Sequence, residues 1–207
     1  MSAPRSKPYA ESCDYNKYPI ADVLRDVFEH RRSKRSGQAL SVLEVGSGTG
    51  QHAVYFAQLF REEISRWQTS DLAEELPGIS LWINEARDVE RLPPPLSLSF
   101  TDPAERWAEV LQQAGMAAGA DVIFTANTFH IAPWESCVAA LPKIARSLSG
   151  GGYFVVYGPF NYNGEYTSES NARFDEWLRK NKSPQSGIRH MEDVRDSFIA
   201  LKQAASG

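Results

Sequence analysis

Cysteine is scarce in this chain, in which Cys13 and Cys137 are the only two among 207 residues. Two cysteines so far apart are not the pattern of a disulfide-stabilised domain, and no metal-ligand spacing accompanies them. The sequence therefore predicts no metal site. It also favours a reducing compartment, so we expect a cytoplasmic protein.

Long apolar runs are missing as well. No stretch approaches the roughly 20 apolar residues that a membrane-spanning helix needs. The amino-terminal residues MSAPRSKPYAESC lack the apolar segment of a signal peptide. The sequence therefore predicts a soluble protein with no membrane partner.

An excess of positive charge is also absent, because the formal net charge is -4 at pH 7. Such a chain has no overall attraction to the phosphates of a nucleic acid. Its one dense basic run, residues 31–35, follows a helical pattern, and cations favour the end of a helix. We therefore interpret this run as a solvated helix end and expect no nucleic-acid partner.

Bulky apolar residues, by contrast, are plentiful. Hydrophobic residues make up 42% and aromatic residues 11% of the chain. A chain of this length suits one domain of ordinary size. We expect an N-terminal arm or lid over residues 1–19, which is polar and contains Pro4 and Pro8, and a domain over residues 20–207.

Short aliphatic runs typical of buried strands alternate with amphipathic patterns typical of helices. Strands are predicted over residues 40–45, 66–70, 96–100, 121–127 and 153–158. Helices are predicted from Ile20, after Pro19, and over residues 53–60, 80–86, 107–111, 134–148 and 191–202. Such an alternation implies crossover connections between parallel strands. The predicted fold class is α/β, with a doubly wound, mostly parallel sheet.

A glycine-rich segment, Gly46-Ser47-Gly48-Thr49-Gly50, follows the first predicted strand. Alternating glycines let the backbone turn tightly and approach a ligand that a Cβ would obstruct. Ligands of open parallel sheets bind beyond the carboxyl ends of the strands, so this segment predicts a binding site. The dinucleotide pattern GxGxxG would need glycine at position 51, where Gln51 stands, so a dinucleotide oxidoreductase is the weaker alternative.

The segment resembles the motif of class I S-adenosylmethionine-dependent methyltransferases, in which an acidic residue precedes GxGxG. The residues that match this motif are Glu44, Gly46, Gly48 and Gly50. The resemblance covers residues 40–158. It implies a Rossmann-like methyltransferase fold and S-adenosylmethionine as the cofactor, bound by the whole segment with Ser47 and Thr49 included.

The same resemblance assigns roles at the ends of three later strands. An acidic residue after the second strand holds the ribose hydroxyls in that family, and Asp71 stands there. Asp102 stands after the third strand, where the family holds the adenine amino group, although Thr101-Asp102-Pro103 is also a good helix cap. Asn127 ends the fourth strand, where the family lines the methionine moiety.

Longer blocks of sequence are similar to the methyltransferase-like 26 family, a group of small proteins whose substrate is not established. These blocks are GSGTGQHAVYFA, SDLAEELPGI, FTANTFHIAPWE and YGPFNYNGEYTSESNARFDEWL, and the amino-terminal KPYAESCDYNKYPI also fits. The blocks identify a relative without identifying a reaction, since the fold does not determine the function.

Residues after the fifth strand are candidates for the acceptor site, because methyltransferases commonly build their acceptor pocket there. The candidates are Tyr157, Phe160 and Asn161, and a packed loop is the alternative. In the N-terminal arm, Tyr15 and Lys17 are candidates for a lid over the cofactor, with Lys17 able to meet its carboxylate.

No catalytic residue can be assigned from the sequence. His52 and His130 lie near the expected site, but a histidine in such a place is more often packed than catalytic. The sequence predicts methyl transfer to an unidentified small molecule or protein. The alternative is a non-catalytic module with a methyltransferase fold that acts through a protein partner.

Class I methyltransferases usually complete their sheet with a sixth and an antiparallel seventh strand. After the helix predicted over residues 191–202, this sequence has no further strand pattern. We therefore expect a methyltransferase-like domain that lacks its last two strands, either because it is C-terminally incomplete or because the fifth strand keeps an uncovered edge.

Overall fold

The computed structural model describes residues 6–86 and 89–204. Its central sheet is parallel and contains β1 (Leu40–Val45), β2 (Ile64–Asp71), β3 (Leu96–Ser97), β4 (Ala120–Ala126) and β5 (Leu148–Tyr157). The helices are α1 (Glu11–Ser33), α2 (Gln51–Leu59), α3 (Leu76–Glu85), α4 (Ala104–Gln113), α5 (Trp134–Ser147), α6 (Glu169–Asn181) and α7 (Met191–Ala204). A 3-10 turn covers Val89–Arg91, and β6 (Phe160–Asn161) pairs with β7 (Arg189–His190) in a small parallel sheet. The predicted α/β class is confirmed.

The strand order is β3-β2-β1-β4-β5, with β1 at the centre. The chain adds two strands on one side of β1 and then crosses to the other side. Open α/β sheets generally bind their ligands beyond the carboxyl ends of the strands at which the strand order reverses in this way. The glycine-rich segment that leaves β1 stands at this position.

The chain divides into two compact units. The first contains the residues up to Phe124 together with Ser147–Val155, and the second contains Thr125–Arg146 and the residues from Val156 onward. The glycine-rich segment, Asp71 and Asp102 belong to the first unit. Asn127 belongs to the second.

An aromatic cluster forms the core of the first unit. The Phe56 ring in α2 lies 5.5 Å from Trp67 in β2 and 5.8 Å from Phe124 in β4, measured between ring centres. All three side chains are fully buried. Burying a side chain of this size contributes roughly 1.5–3 kcal/mol, so the cluster fixes α2, and with it the glycine-rich segment, against the sheet.

The prediction that the basic run at the end of α1 is solvated is wrong for Arg31 and Arg35, whereas Lys34 is exposed as predicted. Arg31 is buried and donates to Asp121 Oδ1 at 3.0 Å, and Arg35 also pairs with this carboxylate. Burial opposes ionisation of Asp121, but the hydrogen bond from Ser41 N and the guanidinium groups outweigh it and lower the pKa of the carboxyl. A buried charge with such partners is retained as an ion.

Helix α1 begins at Glu11 rather than at the predicted Ile20, and Pro19 lies inside it. A proline removes one backbone hydrogen bond but does not prevent a helix that other contacts stabilise. The negative charge of Glu11 in the first turn interacts favourably with the helix dipole. Glu11 also accepts a hydrogen bond of 2.9 Å from the Tyr15 hydroxyl, one turn later. Residues 1–5 of the predicted arm lie outside the described residues.

Other boundaries also differ from the prediction. β3 ends at Ser97 instead of residue 100, and β5 begins at Leu148, so that it includes the glycines at positions 150–152. Helix α6 and the pair formed by β6 and β7 were not predicted at all. Within the described ranges the central sheet has five strands, without a sixth or a seventh beside β5.

Asp175 in α6 organises the second unit. Its carboxylate accepts hydrogen bonds of 2.9 Å from both the Tyr166 hydroxyl and Arg179 Nε. In β7, Arg189 donates to the backbone carbonyls of Phe129 and Ala132 at 3.0 and 2.7 Å. Ionic hydrogen bonds of this kind are stronger than neutral ones and fix the segments that follow β4 and β5.

No helix in the described part of the chain combines the length and the apolar character that crossing a membrane requires.

Candidate cofactor site

The glycine-rich segment turns through left-handed backbone conformations. Gly46, Gly48 and Gly50 have φ angles of 75°, 56° and 87°. A Cβ on Gly50 would lie 3.2 Å from the Cα atom of Ile79, so this glycine lets α2 approach α3. A Cβ on Gly48 would meet no heavy atom within 4 Å, so Gly48 faces open space. The segment therefore leaves room for a ligand at Gly48.

Hydrogen bonds to β2 fix the start of this segment. The backbone N–H groups of Gly46 and Ser47 both donate to Ser70 O, at 2.9 and 3.1 Å. The Ser47 hydroxyl in turn accepts a hydrogen bond of 3.1 Å from Ser70 N. Ser47 therefore joins the segment to the neighbouring strand.

Asp71 ends β2 and holds the centre of the segment. Its Oδ2 atom accepts a hydrogen bond of 2.7 Å from Gly48 N, and its Oδ1 atom accepts one of 2.7 Å from Leu72 N. Burial raises the pKa of this carboxyl, and the two backbone hydrogen bonds counteract the shift. Each carboxylate oxygen can accept more than one hydrogen bond, so Asp71 can also bind hydroxyl groups of a ligand.

Glu44 lies beneath the segment and is only 1% exposed. Its Oε2 atom accepts a hydrogen bond of 2.8 Å from Trp67 Nε1, and its carboxyl group also hydrogen-bonds Ser47. Burial raises the pKa of Glu44 to about 8, so the group is largely protonated at neutral pH. The side chain supports the segment, and a direct contact with a cofactor stays a prediction.

Thr49 and Gln51 join the segment to the beginning of the chain. Thr49 Oγ1 donates to Gln51 Oε1 at 3.0 Å, and the same oxygen accepts a hydrogen bond of 2.6 Å from Ala10 N. The sequence interpretation used Gln51 only to exclude the dinucleotide pattern and missed this contact. No local signal could have revealed it, because the two partners are 41 residues apart.

Asp102 closes the turn after β3 instead of capping a helix. Its Oδ2 atom accepts a hydrogen bond of 2.8 Å from Ser99 N. Helix α4 begins at Ala104 with Pro103 as its N-cap, so the predicted cap at Asp102 lies one residue too early. Its role at the adenine stays a prediction.

Asn127 follows β4 in the second unit with a φ angle of 57°. Asparagine tolerates this left-handed conformation better than most other residues. Its backbone N–H donates to Tyr157 O at 2.8 Å, which connects the ends of β4 and β5. A contact between its side chain and a methionine moiety stays a prediction.

The acceptor candidates occupy different environments in the second unit. Tyr157 is half-buried at the end of β5, whereas Phe160 and Asn161 are buried in β6. Among the described residues, the buried Asn161 Oδ1 atom has no hydrogen-bond partner. An unsatisfied buried acceptor costs roughly 1–3 kcal/mol, and a ligand hydroxyl or amine would satisfy it.

The lid candidates Tyr15 and Lys17 both bond within α1. The Tyr15 hydroxyl donates to Glu11, and the residue is 70% exposed. Lys17 Nζ donates to Asp14 at 3.0 Å and lies 5.2 Å from the centre of the Tyr55 ring. Their contact with a cofactor stays a prediction.

His52 is packed rather than free. Its Nε2 atom lies 2.7 Å from Asn16 Oδ1, and its ring stacks on Phe56. Burial lowers the pKa of His52 to about 4, and burial with the nearby Arg189 charge lowers the pKa of His130 to about 4. Both rings are therefore neutral at pH 7.

No group of three or more His, Cys, Asp or Glu side chains suited to a metal ion occurs in residues 6–86 and 89–204.

The fold is that of S-adenosylmethionine-dependent methyltransferases. An O-methyltransferase family protein from Burkholderia thailandensis gives a TM-score of 0.70 at 14% identity, over 93% of this chain and 52% of that one. The S-adenosylmethionine-dependent methyltransferase SibL, in its apo form, gives a TM-score of 0.61 at 23% identity, over 79% of this chain and 44% of that one. LepI in complex with S-adenosylmethionine gives a TM-score of 0.62 at 12% identity, over 84% of this chain and 40% of that one. The chain thus spans about half the length of these structures or less, and the likeness shows the fold alone.

The chain belongs to the family described as "Protein of unknown function (DUF938)", whose model matches residues 7–203.

Proposed function

We propose that the first unit binds S-adenosylmethionine and that the protein transfers its methyl group to a small molecule or a protein. The observation that supports this most strongly is the hydrogen bond from Gly48 N to Asp71. It places a carboxylate beside a glycine turn that faces open space, which combines a polar anchor with room for a backbone-hugging ligand.

The residues of the first unit suit the parts of this cofactor. The segment from Glu44 to Gly50 offers space at Gly48 for the amino-acid part. Asp71 keeps lone pairs for the two ribose hydroxyls, and we propose Asp102 for the adenine amino group. For the methionine part we propose Asn127 of the second unit, in line with the resemblance of the sequence to the class I methyltransferases.

When bound, the cofactor supplies a methyl group activated by a sulfonium. The protein has to hold the acceptor in line with this group and exclude water. Orientation of this kind lowers a barrier by about 7–11 kcal/mol in favourable model reactions, so no covalent residue is required. We therefore assign no catalytic residue.

Acceptor contacts are proposed for Tyr157, Phe160 and Asn161. The unsatisfied Asn161 Oδ1 atom supports this assignment, because it would accept a hydrogen bond from a hydroxyl or an amine. Tyr15 and Lys17 are proposed as lid residues. The free thiols of both cysteines support a cytoplasmic location.

Titration calorimetry with S-adenosylhomocysteine tests the proposed binding. We expect the wild-type protein to bind, and Asp71→Ala to bind at least about tenfold more weakly, since it loses hydrogen bonds to a charged group. Asp22→Ala is the matched control, because Asp22 is an exposed carboxylate that pairs with Arg25 on α1. Equal affinities of the wild-type protein and Asp71→Ala would contradict the assignment.

Transfer is tested separately with S-adenosylmethionine that carries a labelled methyl group, incubated with fractionated small molecules and proteins. If a fraction incorporates the labelled methyl group, and the Asp71→Ala variant lowers this incorporation, the result supports an enzyme that transfers methyl groups. Binding without incorporation into any fraction would favour the non-catalytic module.

A further inference from the structure

The residues that precede α1 are anchored on α3. Trp82 Nε1 donates to Pro8 O at 2.6 Å. The Lys7 ammonium lies 3.6 Å from the centre of the Trp82 ring and also pairs with Glu85. Pro8 packs so closely on Gly78 that a Cβ there would lie 2.8 Å from the proline ring. These contacts fix residues 7 and 8 to one face of α3.

The next residues contact the glycine-rich segment. Gln51 is buried, and its Oε1 atom accepts hydrogen bonds from Ala10 N and from the Thr49 hydroxyl. An amide oxygen has two lone pairs, so this one atom satisfies both donors. Gln51 therefore connects the position of residue 10 to that of residue 49.

The first turns of α1 extend this contact. In α1, Asn16 Oδ1 lies 2.7 Å from His52 Nε2, and the Cys13 thiol, between Ala10 and Asn16, is half-buried. Positions 10, 13 and 16 recur every three residues, which places them on one side of the chain as the helix starts. All of these residues belong to the first unit.

We propose that residues 7–16 form an N-terminal strap that holds the glycine-rich segment in its ligand-binding shape, with Gln51 as the positioning residue between them. This inference rests on the proposed function, because the ligand is an S-adenosyl compound. The strap connects α3 to the glycine-rich segment. A substitution at Trp82 therefore changes the binding site although Trp82 has no contact with the glycine-rich segment in this scheme.

Such a coupling acts in both directions. If release of the strap weakens ligand binding, ligand binding must make release of the strap less favourable by the same factor. Cys13 reports on the strap, because its half-buried thiol becomes more accessible to a thiol reagent when residues 7–16 leave the glycine-rich segment. Cys137 is buried in the second unit and reacts slowly.

The experiment combines two variants at the α3 anchor with two at Gln51. Trp82→Phe removes the N–H donor to Pro8 but keeps an aromatic ring for Lys7, and Gly78→Ala pushes the Pro8 ring away. Gln51→Leu removes the shared acceptor, whereas Gln51→Glu keeps an oxygen for both donors. Affinity for S-adenosylhomocysteine, the rate of Cys13 labelling and the melting temperature are measured for each.

We expect Gln51→Leu to lower the affinity about tenfold, which corresponds to about 1.4 kcal/mol, and Gln51→Glu to restore most of it. Trp82→Phe and Gly78→Ala should lower the affinity about threefold or more and raise the Cys13 labelling rate by a similar factor. S-adenosylhomocysteine should slow the labelling of the wild-type protein. Trp177→Phe is the matched control, since Trp177 is a half-exposed tryptophan in the second unit.

The proposed strap is contradicted if Trp82→Phe and Gly78→Ala keep both the wild-type affinity for S-adenosylhomocysteine and the wild-type rate of Cys13 labelling. It is also overturned if affinity falls only in proportion to the melting temperature, because that pattern is general destabilisation. A wild-type protein that does not bind S-adenosylhomocysteine overturns the proposed function and the coupling together. Failure of the strap by itself leaves wild-type binding intact, so the two failures are distinguishable.

Discussion

Asp71 Oδ2 accepts a hydrogen bond of 2.7 Å from the backbone N–H of Gly48. The two residues stand at the carboxyl ends of neighbouring strands: Asp71 is the last residue of β2, and Gly48 lies in the turn that follows β1. The bond sets the distance between a carboxylate and a glycine turn. For the proposed cofactor, a turn held in this way lowers the entropy cost of binding.

Gly48 and Gly37 form a matched pair for testing the open space in the turn. Both have positive φ angles, 56° and 78°, and a Cβ would meet no heavy atom within 4 Å of either. Alanine at each position should lower the free energy of unfolding by a similar amount, about 1–2 kcal/mol, because of the left-handed conformation. We expect only Gly48→Ala to weaken binding of S-adenosylhomocysteine, and calorimetry checks this. Equal affinities of the two variants would show that the space at Gly48 is not a ligand site.

The buried Glu44 predicts a dependence of stability on pH. Its pKa is raised from 4.5 to about 8 in the folded protein, so between these pH values the folded state holds a proton that the unfolded state has lost. The stability that Glu44 contributes is complete below about pH 4.5 and falls as the pH rises to about 8, by up to about 1.4 kcal/mol per pH unit.

Glu44→Gln removes this titration while keeping an acceptor for Trp67 Nε1. The difference in unfolding free energy between the wild-type protein and Glu44→Gln should therefore shift in favour of the variant from pH 5 to pH 8. Chemical denaturation at several pH values measures it. A difference that stays constant with pH would mean that Glu44 is ionised in the folded state.

Asp121 is expected to be essential for stability. Its replacement by alanine leaves Arg31 buried without a carboxylate, and breaking a buried ion pair in this way costs about 3–5 kcal/mol. Asp22→Ala removes only an exposed pair and should cost at most about 1 kcal/mol. Denaturant titration distinguishes the two, and similar losses would contradict a structural role for the buried pair.

The central strands and the glycine-rich segment could be predicted because their signals are local. Residues 40–45 are an aliphatic run that ends at glycines, and the structure has β1 at Leu40–Val45. Helix α6 also had a local signal that was missed. Ser168 caps its start, with its hydroxyl accepting from Asn171 N at 3.1 Å, and Phe174 and Leu178 recur at helical spacing.

Other features depend on contacts between distant parts of the chain. Pro19 predicted a helix start, but the helix extends on both sides of it, from Glu11 to Ser33. The partnership of Arg31 with Asp121 spans 90 residues, and that of Ala10 with Gln51 spans 41. Periodicity and spacing carry no information about such pairs, so a sequence pattern could locate the glycine-rich segment but not the residues that hold it in place.

The most direct measurement is a crystal structure of the protein with S-adenosylhomocysteine. We expect the amino-acid part of the ligand against Gly48 and both ribose hydroxyls within hydrogen-bond distance of the Asp71 carboxylate. A ligand bound elsewhere, or a turn at Gly48 that remains empty at saturating ligand, would contradict the proposed cofactor site.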